Sequence, residues 1–598
     1  MAPLMLFVWP VVALILFAAL GREKGLIWTV VAGYLLLPDG FGYELSGLPD
    51  YDKRSAVALS AVLGAMLFWG KSSWPVPTFG AGLTKRSRML MRNAQNAAKI
   101  QEIWCELLNL ESVAPEDDFF ELGGSGKEAR KMLRAVSEAL RLPLITTAEL
   151  RSASVLADFT RLVERKSEAE IRAIERASRT GGLGKFFLLL FLAICVGQVM
   201  TVQDNGFPLI NGDRFRTALG IRDAIAYISD SVIDFTPFFL AWFWLRTPEH
   251  HKELLRAIVI FGVIYAFLAL VEMRLSPQLN RWVYGYFPHE WQQHVRGGAF
   301  RPVVFLRHGL WLAFFLLTAS VAAFGLYRMT TSQLRYAYLA AGLWILAVLL
   351  ISPNLGAALL AILFIPALLF LSRKLLARGM MLVAMIFLLY PAARQAEMVP
   401  LDRFLGVIER ISVDRAASLE FRFRNEDALL ARALEKPVWG WGGWGRSRVI
   451  DDRGRDTSTV DGLWILTLGA TGWVGYIAFF GVLTLPLLML PKAVRRKEMS
   501  YATAAMAVIL AANLVYLLPN SALSPIGWLL AGAIGGFVSW RPDLTAPIAE
   551  VIDDDHAKPR YTRFDTAQPV PEVRIPSRDT TPSRTPTPSY RRSRKAKG

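Results

Sequence analysis

The sequence predicts an all-α, polytopic membrane protein, and three observations carry that prediction. The 598 residues are 53% hydrophobic and only 20% charged, and the mean hydropathy is +0.34. The apolar residues arrive in blocks of roughly 20, the length a helix needs to cross a bilayer core. The connections between blocks are short and rich in Lys and Arg, as the cytoplasmic loops of membrane proteins are. A soluble enzyme of this length would divide into domains with balanced surfaces, so that class is excluded. The net charge of +17 is read as cytoplasmic loops and contacts with anionic lipid, with no nucleic-acid partner. Cys105 and Cys195 cannot form a disulfide framework, and no Cys/His cluster has zinc-ligand spacing.

About thirteen candidate spans follow one another, near 3–20, 25–38, 55–70, 185–202, 224–245, 254–272, 303–326, 336–352, 355–372, 375–391, 463–489, 500–518 and 524–540. The first is too long and too weakly basic at its start for a cleaved signal peptide. The second and third are short and interrupted by glycine. The basic connections Arg22–Lys24, Lys71–Arg92, Arg165–Lys185, Arg246–Arg256, Arg328–Arg335, Arg373–Arg378 and Lys492–Lys497 then fall on one side. The expectation is an external N-terminus, a cytoplasmic C-terminus and one major external loop, 391–462. Residues 541–598, rich in Pro, Ser, Thr and Arg, cannot bury a core and read as a disordered basic cytoplasmic tail.

Residues 93–168 break this pattern, between the first spans (1–92) and a long membrane domain (185–540). Ala97–Leu110 reads as an amphipathic helix with Ile100, Ile103, Trp104, Leu107 and Leu108 on one face. An acidic turn follows, then a helix over Gly126–Leu140 and another near Ser152–Glu164. The run Asp117-Asp118-Phe119-Phe120-Glu121-Leu122-Gly123-Gly124 and the opening Ile103-Trp104-Cys105-Glu106-Leu107-Leu108 resemble those of an acyl or peptidyl carrier domain. That resemblance implies a serine bearing phosphopantetheine at the start of the second helix. Here Gly126 holds the attachment position and Ser125 lies one residue early, so the expectation is a degenerate, unmodified cytoplasmic module that docks a protein partner.

The loop 391–462 is too charged for a span and too long for a simple connection. It carries many arginines and the run Pro437-Val438-Trp439-Gly440-Trp441-Gly442-Gly443-Trp444-Gly445. Glycines let a backbone approach a ligand, tryptophan faces suit sugar rings or a membrane interface, and arginine forks match phosphate oxygens. The composition alone fits equally a site for a phosphorylated, lipid-borne glycan and an interfacial loop with scattered arginines. Arg422 followed by Pro437-x-x-Gly440-x-Gly442, then Asp461 with Gly472 and Gly475, resembles the O-antigen ligase and polymerase superfamily. In the preceding external loop, Arg296-Gly297-Gly298-Ala299-Phe300 is similar to that family's other arginine motif. Asp461 stands where ligases have histidine, and Ser352-Pro353-Asn354-Leu355 lacks the family's arginine.

The resemblance implies metal-independent, cofactor-free glycosyl transfer on the periplasmic face of a bacterial cytoplasmic membrane, from a glycan on undecaprenyl diphosphate. Arg296 and Arg422 would neutralise the diphosphate, with Arg301, Arg307 and Arg424 as close alternatives. Trp441 and Trp444 would line the sugar site, and Asp461 would act as base. An exposed carboxylate, pKa near ~4, is a weaker base than histidine. The aspartate favours a repeat-unit polymerase over a ligase. A transporter of lipid-linked glycans and a carrier-fed acyltransferase are the rival classes. Three further features read as minor. His289 and His294, five apart, would diverge by about 140° on a helix and share no metal. Asp230 and Asp234 share a helix face and either line a polar cavity or pair with Arg307. Gly181–Gly184 is a hinge without the Lys-Ser/Thr of a phosphate loop.

Overall fold

The computed structural model describes residues 1–539 except 46–48, 71–84, 141–144, 167–181, 212–213, 290–293, 297–298, 411–412, 460 and 496–497. The tail expected at 541–598 and the hinge at Gly181 lie outside the described residues. The chain is mostly helical, about 73%, and its strands form three two-stranded hairpins among the described residues.

The N-terminal helices are α1 (Ala2–Leu20), α2 (Arg22–Leu36) and α3 (Lys53–Leu67). The insert follows as α4 (Lys85–Leu108), α5 (Gly126–Leu140), α6 (Thr147–Ser152) and α7 (156–166). Then come α8 (Gly182–Asp204), α9 (Ile221–Trp244), α10 (Pro248–Leu275), α11 (Leu279–Tyr284), α12 (Gly309–Met329), α13 (Leu334–Ile351), α14 (Leu355–Phe370) and α15 (Arg373–Gln395). Two helices, α16 (Leu401–Glu409) and α17 (Val413–Leu434), lie in the long loop ahead of α18 (Leu463–Val494), α19 (Tyr501–Tyr516) and α20 (Pro525–Ser539). The hairpins are β1/β2 (Gly42–Tyr43, Tyr51–Asp52), β3/β4 (Leu209–Asn211, Arg214–Arg216) and β5/β6 (Val295–Arg296, Ala299–Phe300).

All thirteen apolar segments are helices, and eight are long and apolar enough to cross a membrane. The other five, α2, α3, α14, α19 and α20, have 15 or 16 residues. At 1.5 Å per residue that is about 23 Å, short of a bilayer core of about 30 Å. Helix α12 lies deepest, with 89% of its most apolar 18-residue window buried. At the periphery α1 turns Leu4, Phe7, Val11 and Ile15 outwards, a face with no use in water but suited to acyl chains.

The basic connections at Arg22, Arg328 and Arg373 each bond to neighbouring helix ends. Arg22 donates to the Trp69 carbonyl at 2.7 Å and lies over Trp244. Arg328 reaches the Leu371 carbonyl and, at 2.7 Å, the Tyr501 hydroxyl. Arg373 donates to the Met499 carbonyl at 3.0 Å. Asp230 and Asp234 pair with Arg54 at the start of α3, at 3.3 and 3.1 Å. Arg307, the partner considered from the sequence, is exposed instead; α3 docks along α9 and brings Arg54 to the acidic face.

The insert has a hydrophobic core of its own, built from Ile100, Ile103 and Trp104 of α4, Phe119 of the acidic turn, Met132 and Val136 of α5, and Phe159 and Val163 of α7. Leu107 and Leu108, expected on the same face, are only partly buried. Gly124 is forced by packing, because a Cβ there would sit 2.3 Å from the Phe119 ring.

Candidate active site

The glycine motifs meet each other. Helix α18 breaks at Gly472, whose φ of 63° and ψ of −168° suit only glycine. A break in a span strands backbone groups that must be satisfied internally. The external turn supplies the partners. The Trp441 and Gly442 amides donate to the Gly469 and Ala470 carbonyls at 2.9 Å each. In return the Trp473 and Val474 amides donate to the Pro437 and Val438 carbonyls, at 2.7 and 3.4 Å. A Cβ on Gly472 would lie 2.3 Å from the Val438 oxygen, and one on Gly440 2.5 Å from the Gly472 nitrogen. These glycines therefore serve backbone-to-backbone docking, not the ligand approach expected from composition.

The docked turn fixes what flanks it. Residues Leu429, Leu430 and Ala433 of α17 are buried, so this helix lies with one face against the bundle. On that face Arg422 and Glu426 are four residues apart and adjacent. Together with Asn425, Thr459, Asp461 and Pro519 they line a shallow, open cleft. The Arg422 Nε lies 3.5 Å from an Asp461 carboxylate oxygen, and its Nη1 reaches the Pro519 carbonyl at 3.5 Å. Two residues predicted from distant motifs thus face one another. Asn425 braces the far wall by accepting from the Thr459 amide at 2.9 Å.

Glu426 was not anticipated. Its side chain is 14% exposed and lies 3.8 Å from Arg394, while the Tyr390 hydroxyl donates to it at 3.4 Å. Burial pushes its carboxyl up to about 7, against the pull of Arg394. The available signal was its i+4 spacing from Arg422 on a predictable helix.

The remaining predicted residues separate clearly. Arg301 is buried and donates to the Pro353 carbonyl at 3.3 Å, in the tight turn that lacks an arginine of its own. Gly309 makes room for its stem; a Cβ there would meet the Arg301 Cγ at 2.2 Å. Glu272 seats this segment by accepting the Val303 and Val304 amides, both at 2.7 Å. Arg301 and Arg422 both lie within electrostatic range of the Tyr516 hydroxyl, which donates to the Leu310 carbonyl at 2.9 Å. The backbone of Arg296 belongs to β5, and its side chain lies outside the described residues. Arg424 points away from the cleft, 75% exposed and paired with Glu420. Residues two apart on a helix face opposite ways, so Arg422 and Arg424 cannot both serve the site.

Trp441 is also ruled out as a sugar platform. It is buried, it donates to the Arg432 carbonyl at 2.8 Å, and the Arg432 guanidinium covers its ring at 3.5 Å. Trp444 is exposed and donates to Asp223 at 3.0 Å. The loop arginine Arg446 is structural, bonding the Thr217 and Phe207 carbonyls at 2.9 and 3.0 Å.

The spacing argument against a shared site for His289 and His294 does not hold, because their ring nitrogens and that of His308 come within 4.8 Å of one another, although residues 290–293 lie outside the described residues. Their rings lie 5.7 Å apart, and His308 joins them. In the insert, Ser125 caps α5: its hydroxyl accepts the Lys127 and Glu128 amides at 3.3 and 3.4 Å, and Glu128 accepts the Ser125 amide at 2.7 Å. Gly126 follows, with open space where a Cβ would stand.

Among known proteins, no family model matches the chain. A 78-residue stretch, 13% of the chain, is 36% identical to part of tyrocidine synthase 3 from Brevibacillus parabrevis. The chain spans about 1% of that relative's length.

Proposed function

We propose that this chain is a membrane glycosyltransferase that polymerises oligosaccharide repeats carried on undecaprenyl diphosphate. The observation that carries the reading is the cleft in which Arg422 and Asp461 stand 3.5 Å apart, with Glu426 beside them. The acceptor sugar hydroxyl attacks the anomeric carbon of the donor glycan. The bond from that carbon to the diphosphate oxygen breaks, and its electron pair leaves on the diphosphate. Arg422 and Arg301 neutralise the charge that builds there. A carboxylate takes the hydroxyl proton; Glu426, near 7, is matched to that task at neutral pH. Asp461 holds Arg422 and orients the acceptor.

In this reading the basic end of the bundle is cytoplasmic and the cleft periplasmic. The insert is an unmodified carrier-like module that docks a cytoplasmic protein. Its own core supports a separately packed module, and the cap role of Ser125 with Gly126 beside it supports the absence of an arm. The test is the pool of lipid-linked glycans in a deletion strain complemented with variants. Single repeats accumulate with Arg422→Ala, Arg422→Lys recovers part of the polymer, and Arg424→Ala matches wild type. Full-length polymer from a folded Arg422→Ala protein refutes the assignment. Finished polymer lacking its final acceptor means a ligase.

A further inference from the structure

Three of the chain's six histidines converge in the loop that leads into α12. His289, His294 and His308 come from separate turns, and their nearest ring nitrogens all lie within 4.8 Å of one another. His294 is fully buried and His308 nearly so. Both ring nitrogens of His294 and the Nδ1 of His289 are buried with no hydrogen-bond partner among the described residues. A buried polar group in that condition is costly and calls for an occupant.

We propose that His289, His294 and His308 form a binding site for one divalent transition-metal ion, with zinc as the best fit. A set of three imidazoles suits zinc, copper, nickel or cobalt and does not suit calcium or magnesium, which require oxygen. Three protein ligands leave a fourth position for water or a small anion. Tetrahedral zinc, with Zn–N near 2.0–2.1 Å, holds its nitrogens roughly 3.4 Å apart. The cluster therefore needs to contract by little more than an ångström, a motion of side chains rather than of the fold.

The metal would act as a clip on the segment that carries Arg301. The His294 carbonyl accepts the Arg301 amide at 2.8 Å. His308 opens α12, with its Nδ1 accepting the Leu310 amide at 3.1 Å. Coordination by this ring gives up that cap bond, whether the metal sits on Nδ1 directly or on Nε2 with the proton moved across. The nearby Arg301 charge opposes a dication, so loading of the site is coupled to the position of Arg301. The site does not depend on glycosyl transfer being the activity.

The test uses the full chain purified in nanodiscs through a tag without histidine. After chelator treatment it is titrated with Zn2+ and, for spectroscopy, with Co2+. The expected result is one ion per chain, the visible bands of tetrahedral cobalt, and a rise in Tm with zinc. His294→Ala should weaken binding by at least ~100-fold, more than the 10–100-fold of an outer-shell change. His308→Asn keeps a helix-capping side chain but removes a ligand, so the same loss from a protein of wild-type Tm isolates metal binding from folding. His250→Ala should bind as wild type does. No stoichiometric binding by the wild-type protein overturns the proposal, as does binding that survives both His294→Ala and His308→Asn.

Discussion

A pH profile of glycan transfer is the sharpest probe of the cleft, and Glu426 sets its shape. Moving a carboxyl from 4.5 to about 7 means that the protein disfavours its ionised form by roughly 3 kcal/mol. The base must be ionised to accept a proton, so activity rises with pH through that value. Lowering pH from about 8 to about 6 takes a group of pKa about 7 from mostly ionised to mostly protonated, a roughly tenfold fall in rate. An ordinary carboxylate stays ionised over this range and gives a flat profile. The assay is the initial rate of polymer formation in proteoliposomes supplied with lipid-linked repeat. Glu426→Gln should lose most activity and the acid limb together, while Glu426→Asp should restore part of both. Arg394 lies 3.8 Å from Glu426 and favours its ionised form. Arg394→Gln should therefore move the limb to higher pH. An acid limb that persists in Glu426→Gln, or that ignores Arg394→Gln, refutes the role of this carboxylate.

Asp461→Asn should keep donor binding yet lower turnover by something like ~10²-fold, read as a fall in kcat with unchanged lipid-donor affinity. Gly472→Ala should destabilise the protein by roughly 3 kcal/mol, since it strains the backbone and drives a Cβ into backbone that cannot yield; thermal unfolding in detergent should report it. Gly379, with open space around it, is the neutral control for that substitution. Intact-mass analysis with a phosphopantetheinyl transferase should find no added arm on the wild-type insert, because Ser125 caps a helix and Gly126 has no hydroxyl. Gly126→Ser should accept the arm if the rest of the module is still recognised. Cysteine-accessibility labelling should report an introduced cysteine at Arg424 and one in the insert from opposite faces of the membrane; labelling from the same face refutes the assigned sidedness.

The apolar segments were legible because a block of about 20 apolar residues has few other uses. Charge alone picked out the connections in which Arg22, Arg328 and Arg373 bond to neighbouring helix ends. The pair Arg422 and Asp461 was legible as two motifs, but not as neighbours, because nothing in the sequence shows that α17 packs against α18. Choosing Arg422 over Arg424 required the phase of α17, which residue type does not reveal. Trp441 looked like a ligand platform because composition cannot tell an exposed ring from one beneath Arg432. The histidine cluster was hidden because a two-residue spacing argument left out His308, which joins His289 and His294 from further along the chain. Arg54 was overlooked as the partner of Asp230 and Asp234 because it lies some 180 residues away in the chain.

The interrupted helix α18 also bears on how the protein assembles. A continuous span can enter the bilayer and wait for its neighbours. This one carries unpaired carbonyls at Gly469 and Ala470 until the turn 437–442 arrives to take them. Loop and span therefore form one cooperative unit, in which neither closes without the other. Amide hydrogen exchange should find Trp441 and Gly442, outside the long apolar segments, as slow as the helix they bond to. The insert, with its separate core, has no such bond to the bundle's opening among the described residues and should exchange on its own schedule.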